Sequence, residues 1–173
     1  MAISGCAHHS AEDIVGHIQP LTDVRDRVVA NVSAAKSSFD FLSVDQLKVC
    51  YGDLAAKVGD YTGYLTGAIQ TGTFDAAVSQ SDATGAAQSS SAFNDCQLKL
   101  ERGASPSPAS PLPLVNGDWV AGFEKNVEAY WTTDGGRVRS LSADVRQQLI
   151  TKIQSATAWP KFDDIPKATA APP

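Results

Sequence analysis

Between Leu47 and Ala68 apolar side chains return at alternating steps of four and three: Leu47, Tyr51, Leu54, Val58, Tyr61, Leu65 and Ala68. Three full repeats of this spacing place every one of these residues on a single seam of an α-helix, and a seam is only stable when other helices cover it. The chain therefore has to build a helical bundle around residues 44–71. Gly52, Gly59, Gly63 and Gly67 interrupt the same stretch. Each costs a helix about 1 kcal/mol relative to alanine, so this helix depends on its neighbours rather than on its own propensity. Asp45 or Ser43 is suited to cap its start, and Gly72 to end it in a left-handed conformation. Charged residues make up only 19% of the chain, below the usual quarter, while Ala, Ser, Thr and Gly fill the difference. Such a composition favours helices that approach closely.

The rest of the chain supplies the covering helices. Ile14, Val15, Ile18, Leu21, Val24, Val28, Val29 and Val32 recur at helical spacing over residues 11–37. Ser10 is positioned to cap this region. Pro20 lacks an N–H and clashes with a preceding turn, which predicts a short helix to Gln19 and a longer one from Leu21 to about Ser37. Thr73 opens a further helix over 74–100, with Phe74, Ala77, Val78, Ala86, Ser90, Phe93, Gln97 and Leu100 as its inner face. That face is poor in large residues and needs the Tyr/Leu seam as its partner. Prolines 106, 108, 111 and 113 make residues 103–117 an extended surface linker. Asp118 to Trp131 and residues 142–157, capped by Ser142, read as two more helices. The expected organisation is a disordered start over 1–10, one helical domain over 11–158, and a disordered Pro- and Ala-rich tail over 159–173. No strand pair and no internal repeat is legible.

Cys50 lies 22 residues before Gly72 and Cys96 lies 24 after it. If the two long helices run antiparallel through that turn, the two thiols meet, and a disulfide between them is one reading. Two free buried thiols is the other. Cys6 leaves the count odd.

Chemistry-bearing patterns are sparse. His8, His9 and His17 have no Asp, Glu or Cys at a spacing that closes a metal site. There is no Gly-x-Ser-x-Gly elbow, phosphate loop or dinucleotide fingerprint. Asp163 and Asp164 are adjacent carboxylates in the tail, without the fixed geometry acid–base work needs. A net charge of -5 disfavours a nucleic acid partner. No segment has the length and apolarity of a membrane span, and no secretory signal peptide is visible. Ile3-Ser4-Gly5-Cys6 resembles a lipoprotein cleavage box, so an anchor at Cys6 would require an apolar segment upstream of Ile3. Asn31-Val32-Ser33 is an N-glycosylation acceptor pattern.

Several segments, in order, resemble the plant invertase and pectin methylesterase inhibitor family. Leu47-Lys48-Val49-Cys50-Tyr51 resembles the cysteine-bearing start of its second bundle helix, with Tyr61, Leu65 and Ala68 at the family's spacing. Gly72-Thr73-Phe74-Asp75-Ala76-Ala77 resembles its inter-helix turn, and Ser91-Ala92-Phe93-Asn94-Asp95-Cys96 its Ser/Thr-rich segment ending in cysteine. Glu101-Arg102-Gly103 followed by Ser105-Pro106 resembles its linker. The likeness covers about residues 40–110. It implies an up-down four-helix bundle whose central hairpin is clipped by a disulfide matching Cys50 and Cys96. The family's N-terminal hairpin, with its own disulfide, has only Cys6 here and looks missing or degraded. The family's fourth helix corresponds to Asp118–Trp131, which is more aromatic and more polar.

From the resemblance the expected function is inhibition by binding: the chain occludes a cell-wall carbohydrate-active enzyme in the plant apoplast, without catalysis or cofactor. The family's Pro-Lys-Phe tripeptide, typical of invertase inhibitors, is absent from the turn. Pro160-Lys161-Phe162 lies elsewhere, in the tail, and reads as coincidence. Pectin methylesterase is thus favoured over invertase as partner, with Thr71, Thr73, Phe74 and Asp75 as contact residues. The alternatives are a non-inhibitory structural bundle and a bacterial lipoprotein anchored at Cys6.

Overall fold

A computed structural model describes residues 19–73, 75–103, 112 and 141–169. Among them the chain is all-helical: α1 (Gln19–Ser38), α2 (Phe41–Thr71), α3 (Ala76–Glu101), α4 (Ala143–Thr157) and a 3-10 turn (Phe162–Asp164). The expectation of an all-α bundle holds. Residues 1–18 and the segment 118–131 lie outside the described residues.

The whole seam of α2 is buried, from Leu47 to Ala68, and Thr62 and Ile69 join it. The buried face is wider than a two-helix seam because α1, α3, α4 and the 3-10 turn all pack against α2. Tyr61 and Phe93 are the largest side chains fully enclosed there. α2 begins earlier than Ser43 or Asp45 would allow. Its cap is Asp40, whose side chain accepts the Ser43 N–H at 2.7 Å. That bond favours the charged carboxylate and holds Asp40 below the usual carboxylate range. The preceding residue explains the shift in start: Phe39 bonds back to Ala35 at 2.7 Å, ending α1 and leaving Asp40 extended.

Gly72 ends α2 with φ 69° and ψ 19°, the left-handed conformation that an L side chain resists. The four interior glycines all lie on the solvent face, and a Cβ added at Gly52, Gly59, Gly63 or Gly67 meets nothing within 4 Å. Each single Gly→Ala change there is expected to raise stability by about 1 kcal/mol, read as a higher urea midpoint. An unchanged midpoint would mean that packing, not backbone freedom, limits α2.

α3 presents small residues inward: Ser79, Ala83, Ala86, Ala87 and Ser90, then Phe93 and Gln97. Two expectations for this helix are corrected. Asp75, not Thr73, is its cap, accepting the N–H groups of Ala77 and Val78 at 3.0 and 3.3 Å. The later start turns the first helical turn outward, so Ala77 and Val78 are exposed rather than core. Ser79 is the first inward position.

α1 is described from Gln19, and Pro20 lies within it. Leu21, Val24, Val28, Val32 and Ala35 face the core. α4 follows its Ser142 cap and buries Leu149, Ile150 and Ile153. It runs antiparallel to α2: Arg146 donates to the Gln70 carbonyl at 3.3 Å at one end, and Trp159 meets Tyr51 at the other.

The expected disordered tail is also corrected. Residues 158–169 form a strap along α1 and the start of α2. Phe162 and Ile165 are buried in the core, and Trp159 is half-buried against it. Tyr51 meets the rings of Trp159 and Phe162 edge-to-face, each at 5.5 Å. Three apolar anchors at intervals of three give the strap a helix-like face, which a Pro- and Ala-rich composition concealed. Leu112, in the expected surface linker, is likewise buried in the core. The bundle domain therefore extends beyond residue 158.

Candidate functional site

The α2–α3 hairpin carries both sequence-predicted features. At its open end Cys50 and Cys96 are joined by a disulfide, with Cα atoms 6.7 Å apart. At its closed end the turn from Thr71 to Asp75 is held by its own hydrogen bonds. The Thr71 hydroxyl donates to the Gly67 carbonyl at 3.0 Å and accepts the Thr73 N–H at 3.3 Å. Asp75 caps α3. The Tyr64 hydroxyl donates to the Asp75 carbonyl at 2.9 Å and accepts the Asp75 N–H at 2.6 Å. Tyr64 thus pins the cap residue from both sides of its peptide.

Thr71, Thr73 and Asp75 are exposed, and Gly72 is buried beneath them. Phe74 lies outside the described residues. Thr71 and Asp75 are each held by hydrogen bonds, and fixing a contact residue before association lowers the entropic cost of binding. The Thr71 hydroxyl and the Asp75 carboxylate are already engaged within the turn. Tyr64 was not among the sequence candidates. Its position one residue before the seam's Leu65 places it on the flank, and nothing in the spacing signals a contact eleven residues away.

The disulfide is half-buried at both cysteines. Beside it Gln46, Asp95 and Lys99 line an open depression of about 360 Å³. Asn31 is 5% exposed on the inner face of α1. A glycan is bulky and needs a surface residue, so the acceptor pattern can only be used if α1 opens. Cys6, His8, His9 and His17 lie outside the described residues. Among the described residues no three His, Cys, Asp or Glu side chains converge on a common point, and no helix is long and apolar enough to cross a membrane.

The strap concentrates polar contacts that sequence reading missed. Lys36 donates to the carbonyls of Phe162 and Ile165 at 2.5 and 2.6 Å, and its ammonium lies 4.5 Å from the Phe162 ring centre. Tyr51 donates to the Pro160 carbonyl. Burial pushes its phenol up to about 12, so it stays a donor through the neutral range. Lys48 pairs with Asp163 at 2.9 Å, and that bond holds the Asp163 carboxyl below its usual range. A carboxylate lowered by folding adds stability above its unfolded value, near 3.9, and loses it as pH falls through the folded value. Acid titration should therefore loosen the strap at Asp163 below about pH 4, seen as lower amide protection at residues 161–165 once each rate is divided into the intrinsic rate at that pH. No change in that protection between pH 6 and pH 3 would remove Asp163 from the account.

At the turn, Asp75→Ala is expected to cost about 1 kcal/mol through loss of the α3 cap, while Asp75→Asn keeps most of it. Equal losses in both variants would show that charge rather than capping matters. Comparison with family models, with curated proteins and with solved structures finds no match to this chain.

Proposed function

We propose that the chain acts by binding: it is an inhibitor that occludes the substrate cleft of a cell-wall carbohydrate-active enzyme, pectin methylesterase in preference to invertase. The observation that carries the reading is the α2–α3 hairpin, clipped at one end by Cys50–Cys96 and ordered at the other by Tyr64 and Asp75. A hairpin clipped between the two middle helices is what the resemblance to the invertase and pectin methylesterase inhibitors implies for these residues. The disulfide also suits an oxidising compartment, as the apoplast is. Thr71, Thr73, Phe74 and Asp75 are the proposed contacts; of these, Thr71, Thr73 and Asp75 are exposed at the closed end of the hairpin.

Purified pectin methylesterase, assayed with increasing amounts of the oxidised chain, should lose activity with a stoichiometric endpoint. Thr73→Arg, at an exposed turn position, should weaken inhibition at least about tenfold without changing the helical circular dichroism. No binding to pectin methylesterase or to invertase at micromolar concentration would sink the proposal. It would favour the second reading, a non-inhibitory helical bundle. One observation favours that alternative: the strap over 158–169 adds a packed element that the resemblance, confined to about residues 40–110, does not account for.

A further inference from the structure

One short stretch of α2 holds two other elements at once. Cys50 is bonded to Cys96 of α3. Within the same helical turn Lys48 pairs with Asp163 of the strap at 2.9 Å. Tyr51 donates to the Pro160 carbonyl and meets the rings of Trp159 and Phe162. Any motion that lifts this stretch off α3 therefore also withdraws the partners of the strap. The disulfide forbids that motion. At the closed end the chain itself joins the two helices through Gly72, so only the open end depends on a bond that thiol chemistry can break.

That bond is within reach of solvent. Both cysteines are half-buried, and Cys96 lines the open depression of about 360 Å³ together with the exposed residues Gln46, Asp95 and Lys99. A small thiolate entering the depression meets Cys96. The Lys99 ammonium attracts such an anion and the Asp95 carboxylate repels it. We propose that Cys50–Cys96 is a redox switch, opened by a small-molecule thiol and coupled to the strap through residues 48–51. The thiolate attacks Cys96 Sγ and forms a mixed disulfide. The Cys50–Cys96 bond breaks, and Cys50 leaves as a thiolate that takes up a proton. A second thiolate attacks the small molecule's sulfur in the mixed disulfide and releases Cys96, which is protonated in turn. In sum, two small thiols are oxidised to their disulfide and the protein disulfide is reduced to two thiols. The reduced chain keeps its helices and gains access to a state with the hairpin's open end parted and the strap detached. The switch is a property of the scaffold and holds whether or not the chain inhibits an enzyme.

The test treats the full chain with millimolar glutathione, without denaturant, and follows alkylation of Cys50 and Cys96 by mass spectrometry. The reduction rate should rise in proportion to glutathione concentration. A rate that levels off means that attack waits for prior unfolding, and overturns direct entry. Lys99→Glu, at an exposed position, should slow the anionic reductant at least about threefold, and Asp95→Asn should speed it by about as much. Unchanged rates in both variants overturn the depression as the entry point. Amide exchange then compares oxidised and reduced chains. Protection across 158–169 should fall at least about tenfold on reduction, with helical circular dichroism retained. The double variant Cys50→Ala, Cys96→Ala, which cannot reoxidise during the measurement, should show the same loss. Unchanged protection of the strap in either chain overturns the coupling. Loss of the helical signal on reduction overturns the switch, because the chain then has no second folded state.

Discussion

Replacing both Cys50 and Cys96 with alanine is expected to lower the unfolding free energy by about 4 kcal/mol, the chain-entropy value for closing a loop of this size. The two cysteines are 46 residues apart in sequence. Domains of this kind hold about 5–15 kcal/mol in total, so the loss is a large fraction of the margin. The physical reason is specific to this hairpin. α2 carries four solvent-facing glycines and α3 turns mostly alanine and serine inward, with Phe93 its one large buried side chain, so neither helix is strong alone and α3 contributes little apolar volume. The clip restricts the unfolded chain instead of adding native contacts. Urea unfolding of the oxidised chain, the reduced chain and the double variant measures this directly, and the last two should agree. Alanine at Gly52, Gly59, Gly63 and Gly67 in the double variant should recover most of the loss, since the four changes together add about 3–4 kcal/mol. A loss under about 1 kcal/mol would mean that packing alone holds the hairpin.

Phe162→Ala should be nearly as damaging, at about 3–5 kcal/mol for a buried aromatic. Phe162 is 7% exposed, lies edge-to-face on Tyr51 and receives the Lys36 ammonium over its ring. It is also the middle anchor of the strap, between Trp159 and Ile165. Because the strap can detach while the helices remain packed, the measured loss is capped by the strap's own docking free energy. Thermal unfolding should fall by about 10 °C, and amide exchange should accelerate first across 158–169. Lys161→Ala, at an exposed neighbour, is the control and should leave both unchanged. A Phe162→Ala chain with wild-type melting and exchange would return residues 159–169 to the status of a loose tail.

The helical parts of this fold were legible because their evidence is local. The seven-residue seam of α2 needs only periodicity, and all seven positions are buried. The Gly72 stop needs only the tolerance of glycine for positive φ. The misread caps show where local evidence runs out. Ser43, Asp45 and Asp40 are all competent caps, and the choice went to Asp40 because Phe39 closes α1 one residue earlier. Thr73 gave way to Asp75 in a similar contest, decided by Tyr64 from the preceding helix. A residue that acts through a partner eleven positions away leaves no periodic trace.

The strap was hidden for a stronger reason. Residues 158–169 are rich in Pro and Ala and look unable to order themselves. They do not order themselves: Arg25, Tyr51, Lys36 and Ser33 supply donors to main-chain carbonyls at 158, 160, 162, 165 and 166. Main-chain acceptors are the same for every residue type, so composition carries no sign of them.

What the amino-acid order determined by itself is the all-helical character, the dominance of α2 and the hairpin turn at Gly72, because each follows from spacing along one helix or across one turn; it left Cys50 and Cys96 as either a disulfide or two thiols, and the structure joins them. The tertiary structure alone decided which residue caps each helix, which way Ala77 and Val78 face, and whether the chain beyond Thr157 belongs to the domain. The cap choices turned on contacts three to eleven residues apart, and the docking of the strap on contacts between segments more than a hundred residues apart, where the free energy is set by the geometry of the partner and not by the local sequence.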